Sequence, residues 1–220
     1  MRQFATRKEM LAALPYGAVV AEVGVQRGRF AKMIDRHARP RKLHLIDCWE
    51  HQADARYQPD TANVVEPRQQ ANMARTAQRL RRGIREGRVT LHRGYSVPML
   101  QTFPAEYFDW VYIDANHTCE GALADLEAAL PRVRWDGMIA GHDYIDTPYW
   151  RAMNFGVVEA VQTFCARHGW EIVGLTNERG NEIDRRGNPS FALRRRGLGW
   201  PAVTPRPAAW WQFWRPSSAA

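Results

Sequence analysis

An α/β domain, with a largely parallel sheet layered between helices, is the fold class this sequence predicts, and three observations carry the prediction. Short apolar runs recur along the chain, each bounded by turn residues and most followed by a stretch of helical period, the mark of repeated βα units. The last two runs have no helical stretch between them, which favours an antiparallel hairpin. The 220 residues are 45% hydrophobic, enough for one substantial core without covalent staples.

Taken in order, Phe4 to Leu14 reads as an opening helix and Ala18 to Val25 as the first strand. Phe30, Met33, Ile34 and His37, at offsets of three, four and seven, mark one face of a helix. Lys42 to Asp47 is the second strand. Between about His51 and Arg68 periodicity gives way to polar, proline-bearing sequence, a long loop, and a helix resumes with Met73, Ala77, Leu80 and Ile84 on one face. Val89 to Gly94 is a third strand, and Phe108 to Asp114 a fourth whose apolar character predicts burial. Leu123, Leu126, Leu130 and Val133 stripe the helix after it. Met138 to Asp143 forms the fifth strand and its exit, followed by a helix with Val157, Val158, Val161, Phe164 and Cys165 on its apolar face. Trp170 to Thr176 and Ser190 to Arg194 close the sheet. From Gly197 the composition turns to proline, alanine and tryptophan, which divides the chain into a domain over 1–196 and a tail over 197–220.

Three scattered cysteines, Cys48, Cys119 and Cys165, form neither a disulfide framework nor a metal-ligand motif, so a reducing compartment is expected. No signal-peptide pattern opens the chain and no apolar run is long enough to cross a bilayer, which makes cytoplasmic the expected location. The formal charge of +8 is largely arginine, gathered between Arg75 and Arg88 and between Arg185 and Arg196. Such clusters attract polyanions. Here no aromatic-basic recognition motif accompanies them, so solvated surface is the preferred reading, and a basic nucleic-acid-binding module is kept only as an alternative.

Open α/β sheets bind ligands beyond the carboxyl ends of their strands, so motifs at strand exits count most. The first is Glu22-Val23-Gly24-Val25-Gln26-Arg27-Gly28, a strand that runs into a helix through glycines able to let backbone approach a ligand. Its glycine spacing departs from the dinucleotide fingerprint. An acidic residue inside the strand would repel a pyrophosphate, whereas it suits a ligand carrying an ammonium and a sulfonium. Glu22 therefore favours S-adenosylmethionine over a dinucleotide, and a nucleotide-binding oxidoreductase becomes the alternative enzyme. Asp47, ending the second strand, is open between accepting both hydroxyls of a ribose and capping structure.

The stretch Ala21 to Asp47, the segment Tyr112-Ile113-Asp114-Ala115-Asn116-His117-Thr118-Cys119-Glu120-Gly121 and the segment Asp136 to Tyr144 together resemble the class I S-adenosylmethionine-dependent methyltransferases, in particular methyltransferase family 24. The likeness spans roughly residues 15 to 196 and is most specific in Ile-Asp-x-x-His, helix, Gly-x-Ile-x-Gly-His-Asp-Tyr. It implies a Rossmann-like three-layer sandwich, seven-stranded, with the last strand inserted antiparallel. It also implies that Glu22 and Gly24 line the methionine part of the cofactor, that Asp47 meets the ribose, and that Tyr95 and Ser96 lie near the adenine; Gly28, in the same glycine turn, is a further cofactor-binding candidate. Asp114 would face the methyl donor.

Asp114 and Asp143 fall at the exits of strands that would be neighbours, about 4.8 Å apart. Two such carboxylates can share an oxygen-preferring divalent cation, Mg²⁺ by default, which would acidify a substrate hydroxyl. His117, three residues beyond Asp114, is placed to accept the proton, with His142 as the competing candidate. Against this stands helix capping by Asp114 or Asn116. Many relatives carry Asp-Gly-Asp-His where this chain has Asp114-Ala115-Asn116-His117, so one potential metal ligand is neutral here.

The 51–68 segment, with His51, Tyr57, Pro59 and Pro67, leaves the second strand where a lid would start. Trp49 is open between cofactor contact and packing, and Pro148, Tyr149 and Trp150 are candidates for shaping an acceptor pocket. The tail motif Trp210-Trp211-Gln212-Phe213-Trp214 is too aromatic for water and suits docking on this chain, on a second copy in a homo-oligomer or on a membrane interface. The expected activity is transfer of a methyl group to a hydroxyl of a small-molecule acceptor such as a sugar.

Overall fold

The computed structural model describes residues 1–53, 62–178 and 187–202. Sixteen elements follow one another: β1 (Arg2–Phe4), α1 (Arg7–Ala12), β2 (Val19–Val23), α2 (Arg29–His37), β3 (Lys42–Asp47), α3 (Glu66–Arg79), α4 (Arg81–Arg85), β4 (Val89–Arg93), α5 (Ser96–Gln101), β5 (Phe108–Ile113), α6 (Cys119–Ala129), β6 (Val133–Gly141), α7 (Pro148–Ala152), α8 (Val157–His168), β7 (Trp170–Thr176) and β8 (Phe191–Arg195). The strands form one sheet in the order β1-β7-β8-β6-β5-β2-β3-β4. Every pairing is parallel except those of β8, which runs antiparallel to both β6 and β7. The closing hairpin is thus as expected, and the sheet has eight strands rather than seven.

Strand residues alternate between two cores, as period-two geometry requires when both faces are covered. Trp110, Tyr112, Met138 and Ala140 pack on one face with Met10, Leu11, Phe30 and Ile34 of α1 and α2. Val111, Ile113 and Ile139 pack on the other with Leu126, Val161 and Phe164 of α6 and α8. This makes the three layers.

Several boundaries differ from the sequence expectation, each for a physical reason. Phe4 ends an edge strand instead of opening a helix; three residues are too few to display alternation. The helix begins after Thr6, whose hydroxyl accepts from the Glu9 N–H, while the Glu9 carboxylate accepts from the N–H of Ala5, one residue before the cap. Val133 continues the helical spacing of Leu130 but starts β6, because Pro131 lacks the N–H needed to prolong α6. The helix carrying Met73 to Ile84 is two helices, joined at Leu80. Helices α5 and α7, of six and five residues, are too short to show a period.

The ends of the expected loop meet: Gln52 N–H donates to Asn63 Oδ1, and Asn63 Nδ2 donates back to the Gln52 carbonyl, both at 2.8 Å. Tyr57 and Pro59 lie outside the described residues, as do Arg185 and the tail motif at Trp210, Trp211, Phe213 and Trp214. Beyond Arg196 the chain still packs. Trp200 sits on the Phe4 ring with centroids 4.7 Å apart and donates its indole N–H to the Ala13 carbonyl. All three cysteines are free thiols, and among the described residues no helix is long and apolar enough to cross a membrane.

Candidate active site

The strand order reverses between β2 and β5: from β2 the chain moves outward to β3 and β4, then returns to build β5 and β6 on the other side. A crevice opens at such a switch point. Here the two strand exits touch. Asp114 N–H donates to the Val23 carbonyl at 2.7 Å, and Gly24, at φ 86°, lies so close that a Cβ would stand 1.9 Å from the Asp114 carbonyl oxygen. Only glycine fits there.

A cavity of about 510 Å³ opens over these exits. Glu22, Gly24, Asp47, Ser96, Asp114, His117, His142 and Asp143 all line it, together with Tyr95 and Trp150. Gly28 does not. It caps α2 at φ 65°, and a Cβ there would stand 2.8 Å from Thr76 Cγ2, so its bareness lets α2 approach α3. Tyr149 also lies outside the lining and is largely exposed.

Asp47 takes a third course between its two expected roles. Its carboxylate accepts from the N–H groups of Val25 and Gln26, both at 2.8 Å, and of Trp49 at 2.7 Å. It therefore ties the glycine turn to the β3 exit and keeps about one lone-pair position open. Trp49 is fully buried and donates its indole N–H to the Gln26 carbonyl, so it packs beneath the turn.

Capping of α6 falls to Thr118, whose hydroxyl accepts from the Gly121 N–H, while Asn116 Oδ1 accepts from the Thr118 N–H. Asp114 is thereby released from that role. His117 Nε2 lies 3.0 Å from Asp143 Oδ2 and 3.5 Å from Asp114 Oδ1, and His142 Nδ1 lies 3.1 Å from Asp143 Oδ1 and 3.7 Å from Asp114 Oδ1. The His117 ring stacks on Phe155 with centroids 4.5 Å apart at 8°. Asp143 holds a left-handed backbone at φ 57°, uncommon for a residue with a side chain. One ligand atom each from Asp114, His117 and Asp143 lie within 4.8 Å of one another, a donor set suited to a divalent cation.

A family profile described as a methyltransferase domain, that of methyltransferase family 24, matches residues 21–144, more than half of the chain and all of the strand exits just described. The chain belongs to methyltransferase family 24. With it comes the class I S-adenosylmethionine-dependent fold, and solved structures agree at low identity. A cofactor-bound protein from MTB superposes with a TM-score of 0.57 at 20% identity, covering 86% of this chain and 79% of that one. An O-methyltransferase from Bacillus cereus, in complex with SAH, gives 0.55 at 15%, covering 81% and 75%. A tRNA methyltransferase from B. subtilis gives 0.56 at 10%, covering 87% of this chain and 66% of that one. A spermidine synthase from Thermotoga maritima, with a TM-score of 0.56 at 15% identity, is covered over 59% of its length by 87% of this chain. Curated proteins yield no sequence match.

The electrostatics of this methyltransferase single out four groups. Burial raises the Glu22 carboxyl well above its ordinary range, Asp114 and Asp47 add to the rise, and Oε2 has no hydrogen-bond partner among the described residues. His142 loses charge stability by burial, but Asp143 and Asp114 outweigh this and lift it to about 10. Burial opposes the charge of Asp114 and Asp143, yet the adjacent histidines hold Asp114 at about 2 and Asp143 well below the usual carboxylate range.

Besides Phe155, three residues escaped the sequence reading. Asn188, buried, donates its side-chain amide to Asp143. Asp125, buried in α6 and pushed up to about 6 by burial, is hydrogen-bonded by the Ser96 side chain and the Asn116 N–H. Arg7, on α1, lines the cavity. Arg7 and Asp125 had a signal: each sits on the apolar stripe of its helix, Arg7 with Met10 and Leu11, Asp125 with Ala122, Leu126 and Ala129. A charge on a buried stripe needs a reason. Asn188, in an irregular segment, had none.

Proposed function

We propose that this methyltransferase moves the methyl group of S-adenosylmethionine to a hydroxyl of a small acceptor, with His117 taking the proton. One observation carries the reading: two carboxylates and two imidazoles converge from the exits of β5 and β6 on the wall of a cavity of small-molecule size. The cofactor end follows from the fit of the residues. A buried carboxyl with an unpartnered oxygen suits a cationic ligand, and Glu22 with Gly24 would hold its methionine part. Asp47 has a position left for a ribose hydroxyl, and Tyr95 and Ser96 flank the place for the base. S-adenosylmethionine supplies the electrophilic methyl group when bound.

The remaining work belongs to the chain. Between the two histidines, His142 is almost wholly buried and its charged form is favoured by Asp143 and Asp114, whereas the His117 ring is more open to the cavity, so His117 is assigned as the general base. Phe155 fixes the plane of the His117 ring, and Asp143, 3.0 Å away, stabilises the imidazolium formed. Asn188 in turn orients Asp143. Asp114 and Asp143 would hold a divalent cation such as Mg²⁺, which would supply Lewis-acid lowering of the hydroxyl pKa. The aromatic wall of Trp150 and Phe155 bounds the acceptor side.

The test is calorimetric titration with S-adenosylmethionine and S-adenosylhomocysteine, with NAD as control. We expect binding of the first two only, weakened tenfold or more, about 1.4 kcal/mol or above, in Glu22→Ala and Asp47→Ala. NAD binding without S-adenosylmethionine binding would reverse the assignment. With an acceptor in hand, His117→Gln should lower kcat by about 10²-fold or more, and chelation should lower it only if the aspartates hold a metal.

A further inference from the structure

We infer that Arg7 forms a carboxylate-binding subsite in the lining of the cavity and that its occupant is the amino-acid carboxylate of the cofactor, an inference that rests on the S-adenosylmethionine reading above. Arg7 opens α1 and is 2% exposed, yet it lines the cavity. A guanidinium carries five N–H donors in a planar fork. The Nε lies 3.0 Å from Glu178 Oε2, an ion pair by distance though not aligned as a hydrogen bond, and the guanidinium also hydrogen-bonds the Tyr112 hydroxyl. Nη2 has no hydrogen-bond partner among the described residues. Phe30 underlies the group, with the guanidinium carbon 5.1 Å from the ring centroid, and holds the fork flat.

Glu178 balances the charge of Arg7, but the unpartnered Nη2 donor beside a cavity calls for an acceptor, because a donor left unmade in a low-dielectric site is costly. A planar fork matches the two oxygens of a carboxylate. Arg7 lies within electrostatic reach of Glu22, whose own oxygen lacks a donor. The two together present a donor fork and a bare acceptor, complementary to the carboxylate and ammonium of one amino acid. The acceptor wall at Trp150 and Phe155 comes from α7 and the segment after it, whereas Arg7 rests on Phe30 of α2, beside the glycine turn.

The experiment is calorimetry on the full chain with S-adenosylmethionine and with its decarboxylated counterpart, which keeps the sulfonium and amine and lacks only the carboxylate. The wild type should prefer the intact cofactor by tenfold or more. In the Arg7→Gln/Glu178→Gln double variant, which leaves no lone buried charge, the preference should fall to near one. Arg7→Lys, which keeps the charge without the fork, should fall between, and its melting curve checks that folding is intact. Equal wild-type affinity for both compounds, or a folded variant that keeps the full preference, would overturn the subsite while leaving the cofactor assignment standing. A wild type that binds neither compound would overturn the cofactor assignment and this inference with it.

Discussion

Glu22 illustrates how a single residue carries both a cost and a purpose. Its carboxyl is buried in the central strand of a sheet, accepts from the Ala31 N–H in the first turn of α2, and leaves Oε2 unpartnered. Burial raises its folded pKa, so the group stays protonated over a pH range where a free glutamate is ionised. A cationic ligand reverses that balance. Binding of S-adenosylmethionine should therefore release a proton from Glu22, and affinity should rise with pH, by up to about tenfold per unit below the raised pKa. Calorimetry in two buffers of different ionisation enthalpy measures the release directly, and Glu22→Gln should abolish it. The residue types at Glu22, Asp114, His117 and Asp143 were legible in the sequence because they stand at strand exits. Their mutual contacts were not, since His117 meets Asp143 across 26 positions that no local pattern connects.

At the scale of elements, the β2–β5 contact is the most exacting feature. Gly24→Ala places a Cβ against the Asp114 backbone, so we expect a loss of about 2–4 kcal/mol with cofactor binding abolished. Gly87→Ala serves as the control: φ is 68° but the space is open, and only the backbone cost of about 1 kcal/mol is expected. Chemical denaturation of both variants makes the comparison. Strands β3 and β4 carry a second device remote from the site. His44 Nδ1 lies 2.9 Å from His92 Nε2, and His44 Nε2 lies 3.1 Å from the Tyr107 hydroxyl. Burial, with the neighbouring His92 and Lys42, lowers His44 to about 4, and burial lowers His92 as well. The unfolded chain then binds more protons than the folded one between about pH 6.5 and 4. Stability should fall with acid across that window and be insensitive to these groups above it. Melting temperatures of the wild type and of His44→Leu/His92→Leu, measured from pH 4 to 8, test this, the variant showing a shallower fall between about pH 6.5 and 4. Long elements were legible because β5 and α8 repeat their period several times; β1, α5 and α7 were too short to do so, and Val133 sat in a helical spacing that Pro131 had already closed.

For the whole molecule, the chain beyond Arg196 does more than trail. A Cβ at Gly174 would stand 2.5 Å from Trp200, so β7 keeps a bare position where the indole docks between Phe4 and Ala13. We propose that the folded unit extends through Trp200, and we expect Trp200→Ala to cost about 2–3 kcal/mol by denaturant unfolding while a chain ending at residue 202 retains cofactor binding. Charge tells a similar story. Arg88 pairs with Asp35 and Glu86, Arg82 with Glu86, and Arg194 donates to the carbonyls of Asp136, Leu198 and Gly199, so these arginines of the two basic clusters serve the fold. The most direct measurement is a crystal structure with S-adenosylhomocysteine. Its amino-acid end should lie between Glu22 and Arg7, its ribose at Asp47 and its sulfur facing Asp114; a ligand bound elsewhere, or with its ends reversed, would overturn the cofactor assignment.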